Sequence, residues 1–170
     1  VNPTADKVVA ILDDSVTADA ERKNFYSAEA EYPELEFSEI NSSELTTAQL
    51  QQAISKVDDK TILIYIVMSK DGSGKQYTSD QALCMIVDYA KVPVYRMVEA
   101  GIGDGLLGGN VVSMYKSGEI AAQMAMDIAN GTDSAEINVV KDSPNIYCVD
   151  EDVMRKFGLR HHSFPKIPNL

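Results

Sequence analysis

Short apolar runs of strand length alternate along this chain with longer stretches whose apolar residues recur at helical spacing. Lys7 to Leu12 (KVVAIL) predicts a buried strand ending in Asp13-Asp14-Ser15. A helix is expected from about Ala18 to Glu31, stopped at Tyr32-Pro33 because proline cannot continue it. Leu35 to Ile40 (LEFSEI) alternates apolar and polar, as a half-exposed strand does. Thr46-Thr-Ala-Gln49 fits a capping box, and Leu50, Ala53, Ile54 and Val57 then share one helix face. Thr61 to Met68 (TILIYIVM) is the most hydrophobic segment and predicts a central strand covered on both sides.

A polar loop, SKDGSGKQY, follows. Thr78-Ser-Asp-Gln81 forms a second capping box, opening a helix through Ala82, Leu83, Met85, Ile86 and Tyr89. Val92 to Tyr95 predicts the next strand, and a loop with five glycines runs from Gly101 to Gly109. Val111 to Met114 is a further strand candidate. A helix from about Ser117 to Ala129 follows, with Gly131 suited to the left-handed position beyond its end. Ile137 to Val140 and Ile146 to Val149 are short apolar segments, and Glu151 to Phe157 predicts a small helix. Strands separated by helix-length segments need crossover connections, so the expected fold class is α/β, a three-layer α/β/α arrangement on a mostly parallel sheet. The expected lobe spans residues 1–159, with 131–159 packing as an appendage, and 160–170 form a tail or linker.

The chain has 170 residues with 45% hydrophobic content, enough for one domain with a substantial core. Its formal charge of −11 disfavours nucleic-acid or anionic-membrane partners, which require positive patches. The longest apolar run, Ile62 to Met68, is far short of the roughly 18 residues that span a bilayer. No signal-peptide pattern is present. The first residue is Val1 rather than Met, so a processed product or an excised segment is expected. Cys84 and Cys148 sit in apolar contexts and are expected to be buried thiols rather than a disulfide. Neither they nor His161-His162 have metal-ligand spacing, and no metal or cofactor is expected.

In a sheet of this kind the ligand crevice lies beyond the carboxyl ends of the strands. Those ends supply Asp13, Asp14 and Ser15, then Ser42 and Ser43, then Ser69, Lys70 and Asp71, then Glu99, Ala100 and Gly101. Together they define a rim able to orient a small polar ligand; singly, Ser and Asp at strand ends also cap helices and shape turns. Gly101-Ile-Gly103-Asp-Gly105 starts like a dinucleotide fingerprint, but Leu106 occupies the third glycine position. Asp71-Gly-Ser-Gly-Lys75 lacks the first glycine of a phosphate loop, and Gln76 replaces its hydroxyl residue. A receiver-type phosphoacceptor is missing at the end of the third strand, and no G-x-S-x-G elbow occurs. Catalysis would need an activated nucleophile or an acid/base pair, and neither is readable.

The order of these motifs carries a resemblance. A strand ending in Asp-Asp-Ser is followed by a very hydrophobic strand, SKDGSGKQYTSDQAL and VPVY. Then come G-x-G-x-G-L-x-G-G, a G-x-x-A-A-x-x-A-x-x-I-x-x-G helix over 118–131, and SPNIYCVDEDVMRKFGL. The series resembles periplasmic-binding-protein-like domains of the ABC-transporter substrate-binding type, especially those fused as extracellular sensors to bacterial histidine kinases or diguanylate cyclases. The resemblance implies a type I lobe, the second of two, that closes on a small solute such as an amino acid or sugar by hinge motion. It implies as partners a first lobe that the chain lacks and a membrane-anchored signalling domain or permease, at the extracellular or periplasmic face, without catalysis. Other readings stay open: a free-standing transporter component, a flavodoxin-like cofactor-binding enzyme domain, and a structural lobe that forms homodimers.

Overall fold

The computed structural model describes residues 2–160. Strands β1 (Lys7–Leu12), β2 (Glu36–Asn41), β3 (Thr61–Tyr65), β4 (Val94–Tyr95), β5 (Gly108–Val112) and β6 (Asn145–Val149) form one sheet in the order β2-β1-β3-β4-β5-β6. Its first five strands are parallel, and β6 joins the edge antiparallel to β5. The expected three-layer, mostly parallel α/β architecture is therefore the observed one. Helices α1 (Val16–Ser27), α2 (Thr47–Ser55), α3 (Ser79–Tyr89), α4 (Met114–Ala129) and α5 (Glu151–Lys156) complete the fold.

Side chains alternate across each strand, which divides the core into two layers. On one side Ile11, Leu63, Tyr65 and Val94 pack against Leu50 and Ile54 of α2 and Ala82, Met85 and Ile86 of α3. On the other, Val8, Ala10 and Leu12 pack against Ala18 and Phe25 of α1. Tyr95 points away from Val94 and joins Leu107, Val153 and Met154, so α5 covers the far end of the α1 side. Each fully buried Leu or Ile contributes about 1.5–3 kcal/mol. Both capping boxes form as expected: Thr46 with Gln49 opens α2, and Thr78 with Gln81 opens α3.

Several features differ from the sequence expectation. The β3 ladder ends at Tyr65 rather than Met68, because its neighbour β1 stops at Leu12. The strand expected at 111–114 begins earlier, at Gly108, and α4 follows it directly. Residues 137–140 form no strand. Cys84 is exposed, because Ala82, Met85 and Ile86 occupy the inward face of α3 and position 84 falls opposite; Cys148 is half-buried and both thiols are free. Gly108 (φ 98°) is where the C-terminal edge depends on glycine: a Cβ there would stand 2.1 Å from the Cys148 carbonyl oxygen. Gly131 is left-handed (φ 101°), as expected after α4. The tail from residue 161, with His161-His162, lies outside the described residues.

Candidate functional site

Parallel order brings the carboxyl ends of β1 to β5, and the start of β6, to one edge of the sheet, where the sequence-derived rim residues fall into two groups. The first is a single hydrogen-bonded network joining the tips of β1, β2 and β3. Asp13 is fully buried. Its Oδ2 accepts from the Ser69 amide at 2.8 Å and the Ser69 hydroxyl at 2.5 Å, and its Oδ1 from the Ser15 amide at 2.9 Å. Burial pushes the Asp13 carboxyl up, but these donors outweigh it and hold the group below the usual carboxylate range. Ser15 caps α1, its hydroxyl accepting from the Ala18 amide. The exposed Asp14 accepts from Asn41 and Arg22, and its amide donates to the Ser43 hydroxyl. The buried Ser42 hydroxyl donates to the Lys70 carbonyl.

Asp71, also buried, organises the SKDGSGKQY loop. Its Oδ1 accepts from the amides of Ser73 and Lys75 and the Ser73 hydroxyl, and its Oδ2 from the hydroxyls of Thr47 and Tyr77. Desolvation acts to raise its pKa, but the donors outweigh it and hold the carboxyl far below its ordinary value. The oxygens of Asp13 and Asp71 are thus taken by the fold itself. Lys70 pairs its backbone with Gln76 in an isolated bridge.

Glu99, Ala100 and Gly101 form the second group, apart from the first, below the start of α4. Glu99 accepts from the Ser113 hydroxyl at 3.1 Å and the Met114 amide at 2.9 Å, which fixes where α4 leaves the sheet. Gly101 is left-handed (φ 90°), and its carbonyl accepts from the amides of Asp104 and Leu106.

Between the two groups lies a cavity of about 440 Å³, walled by α1, the ends of β3 and β4, and the β5–β6 edge. Thr17, Glu21, Arg96, Asn110 and Asn145 supply its polar groups. Arg96 occupies the step just past β4. Its Nη1 donates to the Tyr65 and Ile66 carbonyls at 3.0 and 2.9 Å, and its guanidinium stacks on the buried Tyr65 ring at 4.2 Å. The arginine thus supplies donors to β3 where the β4 ladder has stopped. Burial lowers the Arg96 pKa, and burial raises that of Tyr65, with the Asp13 charge adding to the latter. Sequence reasoning does not single out Arg96 or the two asparagines; the one available signal is a charged residue directly after the buried VPVY strand. On the α1 side this cavity runs into an apolar groove of about 390 Å³ over β3, floored by Ile62, Ile64 and Ile66. Among the described residues no group of acidic, His or Cys side chains is arranged to hold a metal ion.

No family model matches the chain, and no curated protein matches it. Solved structures do. One is the ligand-free, open structure of a substrate-binding protein with adhesive properties from Clostridium difficile. It superposes with a TM-score of 0.68 at 19% identity, over 99% of this chain and 54% of that one. The chain has a periplasmic-binding-protein-like fold. An ABC domain from Streptococcus pneumonia, in complex with L-Trp, matches with a TM-score of 0.58 at 16% identity, over 93% of this chain and 53% of its own. A conserved domain protein from Vibrio cholerae matches with a TM-score of 0.55 at 16% identity, covering 98% and 52%. The chain spans about half the length of the solved chains that it matches. No helix among the described residues is long and apolar enough to cross a membrane.

Proposed function

We propose that this chain is one lobe, the second, of a two-lobed protein that binds a small polar solute at the carboxyl ends of its strands and has no catalytic activity of its own. The observation that carries the reading is α4. It is amphipathic, it rises from the ligand end of β5, and none of its residues is fully buried. Met114, Tyr115, Met126 and Ile128 are exposed on it. Large exposed apolar side chains concentrated on one helix mark a surface made for a partner, and the solved relatives of this fold are about twice as long. A first lobe seated on α4 would close the cleft over the rim.

In this reading Asp14, Ser15, Ser69, Lys70, Glu99, Ala100 and Gly101 form the rim facing the solute, while Asp13 and Asp71 hold the loops that present it. The motif order favours an extracytoplasmic sensor in a membrane-anchored signalling protein over a free-standing transporter component. Phosphate cofactors are disfavoured by the acidic turn at the start of α1, where a flavodoxin-like domain would need to receive an anion.

Thermal-shift screening tests the proposal, using this chain and a form extended to its natural N-terminus against amino acids, sugars, nucleotides and flavins. A ligand at 100 times its Kd adds about 2.7 kcal/mol, a shift of several degrees for a domain of this size. Stabilisation of the extended form by an amino acid or sugar is expected. Stabilisation by a flavin or nucleotide alone would replace the reading with a cofactor-binding enzyme domain.

A further inference from the structure

Strand β3 is apolar on both faces, and only one of them is covered. After Thr61 its residues are Ile62, Leu63, Ile64 and Tyr65, the composition of a strand enclosed between two helical layers. On one face Leu63 and Tyr65 are buried with the residues of α2 and α3. On the other, Ile62, Ile64 and, just past the strand, Ile66 stay half-exposed and floor the apolar groove of about 390 Å³. The layer on that side is occupied to left and right. Ala18 and Phe25 of α1 lie against Val8, Ala10 and Leu12, and Val153 and Met154 of α5 lie against Tyr95 and Leu107. Among the described residues no helix fills the space between α1 and α5 over β3.

The gap has a size and a charge. Strands lie about 4.8 Å apart and a helix is about 10 Å across, so a single helix covers β3 and its flanks. From Ile62 to Ile66 the floor runs about 13 Å, or two to three turns of helix. Tyr32 and Leu35 border the groove near the start of β2. The stretch 28–36 that holds them carries Glu29, Glu31, Glu34 and Glu36, all exposed, and no basic residue. Glu21 lines the groove from α1. An amphipathic helix with Lys or Arg along its edge matches both the apolar floor and this acidic border. Helix α4 of a second copy matches less well, because it sets Glu119 and Asp127 against Lys116 and brings no positive edge.

We infer that the groove over β3 seats an amphipathic helix with a basic edge, carried by the missing first half of the protein. The inference rests on the two-lobed reading above and names a second contact between the halves, distinct from α4. The solved chains of this fold are about twice as long, so the remainder of the protein is a source for such a helix. Helix α4 offers an apolar face to the missing half, and the groove receives one in return.

Peptide-resolved thiol labelling tests this with Ile64→Cys and Met126→Cys, each made in this chain and in the form extended to its natural N-terminus. In this chain both introduced thiols should label as an exposed thiol such as Cys84 does. In the extended form the thiol at position 64 should label about tenfold or more slowly, since it reacts only when the helix lifts away. Ile62→Cys reads the same floor if Ile64→Cys does not fold. Protection at position 126 with position 64 still open would overturn the inference and leave the two-lobed reading standing. Both positions open in the extended form would overturn both. Protection at position 64 already present in this chain would also overturn the inference, and its rise with protein concentration would identify a second copy as the occupant. Glu29→Lys, Glu31→Lys and Glu34→Lys together should speed labelling at position 64 of the extended form at low salt. No change there would overturn the basic edge, and with it the occupant named.

Discussion

Helices α3 and α4 make an instructive pair. Each is amphipathic, and each is capped at its start by a hydroxyl, Thr78 for α3 and Ser113 for α4. The first buries Ala82, Met85 and Ile86 against the sheet, whereas the second buries no residue fully. Local sequence thus specifies two similar helices, and only tertiary context separates them. An apolar stripe records that a helix needs a partner, not that the partner lies within the same segment of chain. Where α3 completes a core, α4 presents exposed apolar side chains, and that difference is what supports the proposal of a second lobe.

The largest effect expected from breaking the packed side of this comparison is at Gly108. Gly108→Val places side-chain atoms where the Cys148 carbonyl already stands, on a left-handed residue, and no rotamer relieves it. Loss of more than about 4 kcal/mol, with β6 and α5 detached, is expected in urea unfolding followed by NMR. A native midpoint would contradict the β5–β6 contact. Ile86→Ala in α3 should cost about 2–5 kcal/mol by leaving a cavity between α3 and the sheet. Calorimetry that found a change below about 1 kcal/mol would show that α3 packs more loosely than described.

Acid should act next, through the buried carboxylates of the strand-tip loops. Asp13 and Asp71 have folded pKa values below their unfolded values. Below about pH 4 the unfolded chain therefore binds more protons than the folded one, and stability falls as the pH drops. The contribution is fully present above that range and is lost on acidification through the folded values. Asp71→Asn should flatten the acid limb of a plot of Tm against pH while lowering Tm at pH 7; an unchanged acid limb would remove Asp71 from the account. The smallest effect belongs to α4. Met126→Ser should change the stability of this chain by less than about 0.5 kcal/mol, because the Met126 side chain is exposed. A cost of the size expected for Ile86→Ala would erase the distinction between the two helices.

Much of the fold was legible wherever local chemistry decides it. Thr46 with Gln49 and Thr78 with Gln81 mark helix starts by reciprocal bonding within four residues, and both form. What sequence could not locate depends on distant partners. Ile66 to Met68 look no different from the strand residues before them; they leave the ladder because β1 has ended and the Arg96 side chain takes the carbonyls of Tyr65 and Ile66. Gly108 and Gly109 read as loop because glycine is a poor strand former, yet both pair with β6, whose backbone approaches too closely for a side chain at 108. At the site, the tips of the strands were found from spacing alone. The use made of their oxygens was not, since the bond from Ser69 to Asp13 crosses 56 positions. Arg96 escaped notice because an arginine after a strand ordinarily reaches for water.

The account turns on whether α4 is waiting for a second lobe, and hydrogen exchange measures that directly. Amide protection along α4 would be compared between this chain and a form extended to its natural N-terminus. The account predicts α4 amides that exchange quickly in this chain, well ahead of those in α3, and that become as protected as α3 in the extended form. Equal protection of α4 in the two forms would contradict it, and the helix would then have to be explained without a missing lobe.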